Sequence, residues 1–284
     1  MLLYVVATPI GNLQDLSPRA IETLKNVDVI LAEDTRVTMK LCQVFDLHAR
    51  LISVHRHNEE ERADALAEDI RRENWSCALV TDAGTPCVSD PGNQVVKACI
   101  DRGIPVIPVP GCCAGIAALS VSGFDAREFA FYGFLPREKK SLREKLEEIV
   151  EGPRVAILHE SPFRIIELTE ALAEVMPQAK LTVCCDLTKL HEKTLYGDPE
   201  TVLAMLRSND KTEKGEYCVV LDLHDVPGRE PEEKPNTTIS LEARLVEVMR
   251  EGLSLRDAQN ELILQGEKKN AVKQAALTLK KLFE

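Results

Sequence analysis

Apolar residues recur along this chain in short runs of four or five, each followed by a polar loop and then by a stretch with helical spacing. Residues 3–7, 27–31, 51–54, 77–81 and 105–109 are such runs, and each predicts a buried strand. Between them, Ser17-Pro18 opens a helix through about residue 25, and further helices are expected over 37–45 and to about residue 73. Asn58 with Glu61 fits a capping box for the last of these. In the central stretch Leu79-Val-Thr-Asp-Ala-Gly-Thr-Pro-Cys-Val-Ser-Asp-Pro-Gly92 the chain breaks at residues 82–86. It restarts as a helix with Ser89 or Asp90 as N-cap and Pro91 in the first turn, ending near Gly103. Pro110-Gly-Cys-Cys-Ala-Gly115 opens a small-residue helix ending near Gly123. Strand and helix thus alternate about five times, the signature of a parallel sheet covered on both faces. Such sheets bind ligands beyond the carboxyl ends of their strands. Four of these ends carry unusual chemistry: residues 8–12, 33–36, 55–58 and 82–86.

A second α/β region follows, with strands at 130–136, 154–158, 181–185 and 215–221 and helices at 137–150, after Arg164 to 175, and from Asp198-Pro199. Some of its connections are too short for a helix, so antiparallel pairing is expected. Residues 227–235, rich in proline and glutamate, read as a linker. Three short helices then follow, at 241–251, 255–265 and 270–282. The expected organisation is an α/β domain at 1–122, a second α/β domain at 123–226 and a helical domain at 237–284.

Composition adjusts this picture in several ways. Hydrophobic residues make up 44% and charged residues 29% of 284 positions, enough apolar content for substantial cores. The chain opens directly on a strand with no basic segment before it, so no signal peptide is expected, and no apolar run reaches spanning length; the cytoplasm is the expected compartment. The nine cysteines include no Cys-x-x-Cys pair, which points to reduced, mostly buried thiols and to no metal site. A net charge of −11 argues against bulk attraction to nucleic acid and leaves room only for a local basic face. Lys268, Lys269, Lys273, Lys280 and Lys281 give the tail a basic end, either a solvated helix surface or a grip on an anionic partner.

The dinucleotide Gly-x-Gly-x-x-Gly does not follow the first strand, and the Gly-Lys-Ser/Thr phosphate loop, His-Glu-x-x-His and Gly-x-Ser-x-Gly are absent. What is present is a different set, in order: Thr8-Pro-Ile-Gly-Asn-Leu13, Ala32-Glu-Asp-Thr-Arg36, Thr81-Asp-Ala-Gly-Thr-Pro-Cys-Val-Ser-Asp-Pro-Gly92, Pro110-Gly-x-x-Ala114, Phe131-Tyr-Gly-Phe-Leu-Pro136, Glu160-Ser-Pro-x-Arg164 and Leu187-Thr-Lys189. The set resembles the tetrapyrrole methylase superfamily and, within it, the ribosomal RNA small subunit methyltransferase I family, over essentially the whole chain.

That resemblance implies two α/β domains of tetrapyrrole methylase type with S-adenosylmethionine in the cleft between them, plus the helical tail, usually as a homodimer. It implies 2′-O-methylation of a cytidine ribose in the decoding region of small-subunit ribosomal RNA, free or in the assembled subunit. By position, cofactor contacts would fall on Ile10, Asp82, Ala83, Thr85, Cys113 and Ala114, and in the second domain on Leu158, His159, Gly215 and Glu216. This chain departs from the pattern at Cys112-Cys113, where Pro-Ser is usual, and at His159, where tyrosine is usual.

The residues themselves suit this chemistry. A sulfonium cation calls for small residues and carboxylates, and Asp82 and Glu160 are candidates. A ribose hydroxyl is a weak nucleophile that a carboxylate or neutral imidazole can deprotonate; Glu33, Asp34, His57 and Glu160 stand at strand ends and qualify by type. Arg36, Arg164 and Lys189 stand at the same rim and suit phosphate, or else surface ion pairs. A tetrapyrrole or protein-side-chain methyltransferase on the same scaffold, or a non-catalytic ribosome-binding factor, are the alternative readings; cofactor binding and the identity of the labelled product separate the three.

Overall fold

The computed structural model describes residues 1–56, 58–228, 240–250 and 252–283. In chain order its elements are β1 (Leu2–Val6), a 3₁₀ turn (Leu13–Asp15), α1 (Pro18–Asn26), β2 (Val29–Ala32), α2 (Thr35–Phe45), β3 (Arg50–Ser53), α3 (Glu59–Arg72), β4 (Ser76–Val80), α4 (Asn93–Asp101), β5 (Val106–Val109) and α5 (Ala114–Ser120). There follow β6 (Ala130–Phe134), α6 (Lys139–Val150), β7 (Val155–Glu160), α7 (Ile165–Val175), β8 (Lys180–Cys185), β9 (Lys193–Gly197), α8 (Pro199–Arg207) and β10 (Tyr217–Asp222). Last come α9 (Leu241–Arg250), α10 (Leu255–Leu264) and α11 (Lys269–Phe283).

The first five strands form a sheet in the order β3-β2-β4-β1-β5, every pairing parallel. Alternation along β4 shows how it is covered. Cys77 and Leu79 face one core with Leu66 and Ile70 of α3 and Val95 and Cys99 of α4. Ala78 and Val80 face another with Leu24 of α1 and Cys42 of α2. A Leu or Ile buried in this way contributes roughly 1.5–3 kcal/mol. Because β1 and β4 are neighbours at the centre, the loops that leave their carboxyl ends must meet.

The second sheet runs β6-β7-β10-β8-β9, with only β6 and β7 parallel. Helices α6, α7 and α8 cover one face through Leu146, Leu172 and Leu206 among others. The other face takes Ala118 of α5 against Ile157, Cys184, Cys218 and Val220, so the helix that closes the first region seals the second sheet. Residues 1–228 make one compact unit, and the described residues from 240 onward make another. That second unit has its own core of Leu245, Ala258, Leu262, Val272, Ala276 and Leu279. The proposed boundary at 122/123 lies between the last strand of the first sheet and the first of the second. Most of the proline-rich linker lies outside the described residues.

The structure revises four local expectations. Strand β9 was not anticipated; it is a half-exposed edge strand, Lys-Thr-Leu-Tyr-Gly, without an apolar run. Helix α4 starts at Asn93 with Gly92 as N-cap, so neither Ser89 nor Asp90 caps it. Asn58 makes no side-chain cap; its Oδ1 turns back to accept from the His55 amide at 2.8 Å. The last strand begins at Tyr217, leaving Gly215 in the preceding loop. All nine cysteines are free thiols, five of them buried.

Candidate active site

Backbone and hydroxyl groups lash together the loops at the carboxyl edge of the first sheet. Thr8 and Gly84 exchange two backbone hydrogen bonds, at 2.9 and 3.1 Å. The Thr8 hydroxyl donates to the Thr81 carbonyl (3.1 Å) and the Thr85 hydroxyl to the Cys112 carbonyl (2.8 Å). The Thr81 hydroxyl donates to Glu33 Oε2 at 2.6 Å, and Arg56 donates to the Ser89 carbonyl at 2.7 Å. The loops after β1, β2, β3, β4 and β5 are therefore one assembly.

The second sheet brings its own strand ends to this edge. Gly11 lies so close to the loop after β8 that a methyl there would come within 2.6 Å of Lys189 Cγ and 2.8 Å of Thr188 Oγ1. That loop holds Asp186 and Thr188 in the left-handed region, at φ 53° and 67°, a conformation that costs non-glycine residues free energy and clusters at functional sites. Lys189 locks it. Burial opposes the charge on its ammonium, but hydrogen bonds to Glu216 and Asp186, both at 3.0 Å, outweigh burial and raise its pKa.

Between the two edges lies a cavity of about 340 Å³, within the range of small-molecule sites. The first sheet contributes Ile10, Ala83, Ser89, Asp90 and Ala114. The second contributes His159 and Glu160 at the end of β7 with Ser161 after it, Leu187, and Glu216 with the start of β10; Phe134 closes one side. Six of the sequence-predicted residues therefore come together: Ile10, Ala83, Ala114, His159, Glu160 and Glu216.

The others sit elsewhere. Asp82 faces a second cavity, of about 300 Å³, with Pro9, Leu13, Val37 and Leu41, on the far side of the same loops. Its Oδ1 accepts from the Asp34 amide at 3.1 Å, and burial raises its pKa. Thr85 and Cys113 line neither cavity; Thr85 ties loops and Cys113 is the N-cap of α5. Leu158 points into the core of the second sheet, and Gly215 accommodates the Asp186 carboxylate. Glu33 serves Thr81, and Asp34 caps α2 and grips Arg36; that hydrogen bonding holds the Asp34 carboxyl down to about 2. His57 lies outside the described residues.

The three rim cations are engaged as well. Arg36 is 88% exposed but paired with Asp34, and Lys189 is bound between two carboxylates. Arg164 is only 17% exposed and turned inward, 3.4 Å from Glu160 Oε2, with its Nη2 donating to the Pro136 carbonyl at 2.9 Å. Arg164 and Lys189 thus fasten loops rather than offering free charge at a rim.

Two polar groups in the wall stand out. His159 Nε2 is buried without a hydrogen-bond partner, its ring edge-on to Phe131 and Phe134, and burial lowers its pKa, so the imidazole is neutral. Asp90, passed over in the sequence as a helix cap, lines the cavity with its pKa raised, first by burial and then by repulsion from Glu33. A neutral ring nitrogen seeking a partner, two carboxylates, and alanines where bulk would block entry fit a cationic nucleoside ligand.

Residues 2–202 match the family model of Tetrapyrrole (Corrin/Porphyrin) Methylases. The fold is that of crystallised members: diphthine synthase superposes at a TM-score of 0.58 over 78% of this chain and 90% of that one, at 17% identity. A Thermus thermophilus uroporphyrin-III C-methyltransferase complexed with S-adenyl homocysteine superposes at 0.55 over 78% and 97%, at 18% identity. Much nearer in sequence are proteins named Ribosomal RNA small subunit methyltransferase I. The Synechocystis sp. protein is 41% identical over 92% of this chain and 91% of its own length. The Escherichia coli O157:H7 protein is 38% identical over 97% and 94%. The chain is an enzyme of the methyltransferase class and belongs to the tetrapyrrole methylases, in the ribosomal RNA small subunit methyltransferase I family.

Proposed function

We propose that this enzyme transfers the methyl group of S-adenosylmethionine to the ribose 2′-oxygen of a cytidine in the decoding region of small-subunit ribosomal RNA. The relatives' names support small-subunit ribosomal RNA as the substrate, and the resemblance of the motifs supplies the cytidine ribose. The observation that carries the cofactor is the unpartnered His159 Nε2 in the wall of a cavity that also holds Asp90 and Glu160. When bound, the cofactor supplies a methyl group on a positively charged sulfur, open to direct displacement. Ala83 and Ala114 leave room for it, His159 gives a neutral hydrogen bond, and the carboxylates stabilise the positive charge. Asp90, as the carboxylate, takes the hydroxyl proton, its basicity raised by burial. Glu160 is less free: its Oε1 accepts from the Ser161 amide at 2.7 Å and its Oε2 faces Arg164. Holding oxygen, methyl and sulfur in line supplies much of the rate.

The enzyme works as a homodimer in the cytoplasm, where its substrate is assembled; among the described residues no helix is long and apolar enough to cross a membrane. Incubation with S-adenosylmethionine labelled in its methyl group is expected to mark small ribosomal subunits that lack the modification. Label on a tetrapyrrole and on no ribosomal particle would overturn the assignment.

A further inference from the structure

Apolar side chains crowd the second-sheet rim of the cavity while facing water. Phe163 is 78% exposed and Phe134 63%, the two most exposed aromatic rings among the described residues. Phe134 lines the cavity itself, and Phe163 directly follows Pro162, which also lines it. Leu190, 92% exposed, tips the third loop of this rim, whose Leu187 is in the wall. The chain has few aromatic residues, 4% of its length, yet it places two in water at one opening. Grouped exposed apolar side chains mark contact surfaces.

The two phenylalanines are held in place. Arg164, one residue beyond Phe163, donates to the carbonyls of Leu135 (3.4 Å) and Pro136 (2.9 Å), immediately after Phe134. The loops after β6 and β7 are therefore clamped by one side chain, with Phe134 at the end of β6 and Phe163 in the loop after β7. Positive charge lies alongside. Arg137 and Lys139 follow Phe134 within five residues, are exposed, and have no ion pair among the described residues, in a protein of net charge −11. Exposed aromatic faces beside unpaired cations suit unstacked bases and their phosphates, the form in which single-stranded RNA is recognised.

We propose that Phe134 and Phe163, clamped by Arg164, form a stacking platform for single-stranded RNA bases at the mouth of the cavity, with Arg137 and Lys139 contacting the adjoining phosphates. This rests on the reading of ribosomal RNA as substrate, and deepens it by naming where the strand lies. Phe163 is a positioning residue outside the cavity wall.

The test uses the full chain and four measurements: the affinity for a fluorescent single-stranded oligocytidine by anisotropy, the affinity for S-adenosylhomocysteine by calorimetry, the sedimentation coefficient, and the steady-state kinetics on unmodified small subunits. Phe163→Ala is expected to weaken oligocytidine binding about tenfold, in line with the loss of one base stack. Phe163→Tyr should stay within about twofold of the parent, because it keeps the aromatic face. On unmodified small subunits Phe163→Ala should raise KM with kcat retained. Arg137→Glu with Lys139→Glu should weaken RNA binding and flatten its salt dependence. Cofactor-product affinity should stay unchanged in all three variants. Wild-type RNA affinity in Phe163→Ala overturns the platform, as does a sedimentation change showing that the patch joins protein copies. Loss of S-adenosylhomocysteine binding by the parent chain would instead strike at the proposed function, leaving the RNA measurement to stand by itself.

Discussion

Asp90 lines the cavity only because another residue does the work the sequence suggests for it. In Ser89-Asp-Pro-Gly92 the obvious reading is a helix cap, but α4 starts after Gly92, and Glu59 of α3 accepts from the Gly92 and Gln94 amides at 2.9 and 2.6 Å. Asp90 is thereby released to the site, with its pKa raised above the ordinary 3.8 by burial and by Glu33. A base acts deprotonated, so methyl transfer should rise with pH through this raised pKa. We expect Asp90→Asn to lower kcat about 10²-fold and to remove that acidic limb from the kcat–pH profile, with S-adenosylhomocysteine affinity changed only a few-fold. Gly215 makes the complementary case. The resemblance marks it as a cofactor contact, whereas it sits at φ +92° with the position of a Cβ 2.5 Å from Asp186 Oδ2. Gly215→Ala should lower the melting temperature, at a cost of about 1–3 kcal/mol from backbone strain and overpacking. Which side chain faces which cavity was not legible in the sequence. Pro9 and Asp82 face the second cavity while their neighbours Ile10 and Ala83 face the first, and only the tertiary register of the loops decides this.

At the scale of elements, the strands of the first sheet and the three terminal helices were readable from apolar spacing, most directly β2 and β4, which bury continuous runs, and the terminal helices, whose apolar positions meet in one core. Strand β9 was hidden for the opposite reason: as an edge strand it pairs only with β8, and its polar, half-exposed residues carry no periodic signal. The cap of α4 was hidden because its acceptor, Glu59, lies 33 residues upstream, a distance that local patterns do not span. This tertiary cap offers an element-level test. Glu59 is buried, and its loss orphans two amides at a helix start, each worth about 1–3 kcal/mol when left unsatisfied. Glu59→Ala should therefore lower the urea midpoint, by about 2–4 kcal/mol of stability in all, with an unchanged m-value. Glu59→Gln keeps a carbonyl acceptor and should recover part of the loss. Since α4 is the exit of the loop that carries Asp90, the alanine variant should also lower activity more than its fraction unfolded explains.

For the whole molecule, the covalent chain joins two units that each close their own core. The candidate cavity is built entirely from residues 10–218, within the first unit. The second unit contributes a separate three-helix core and a lysine-rich last helix with Lys269, Lys273, Lys280 and Lys281. A protein with 46 acidic and 35 basic residues has no general attraction for RNA, so affinity must come from places where cations gather. The rim beside Phe134 is one and the last helix is a second. On the proposed function each of them supplies cations to the RNA, so removing either lowers the affinity for it. Ending the chain after Gly228 should therefore leave a folded protein whose S-adenosylhomocysteine affinity matches that of the full chain within about twofold, because no wall of the cavity is lost. The same truncation should raise KM for unmodified small subunits at least about tenfold and reduce the slope of binding against salt, since several phosphate contacts go with it. An unchanged KM would reduce the terminal helices to a solvated surface, and a lost cofactor affinity would mean that the first unit does not stand alone.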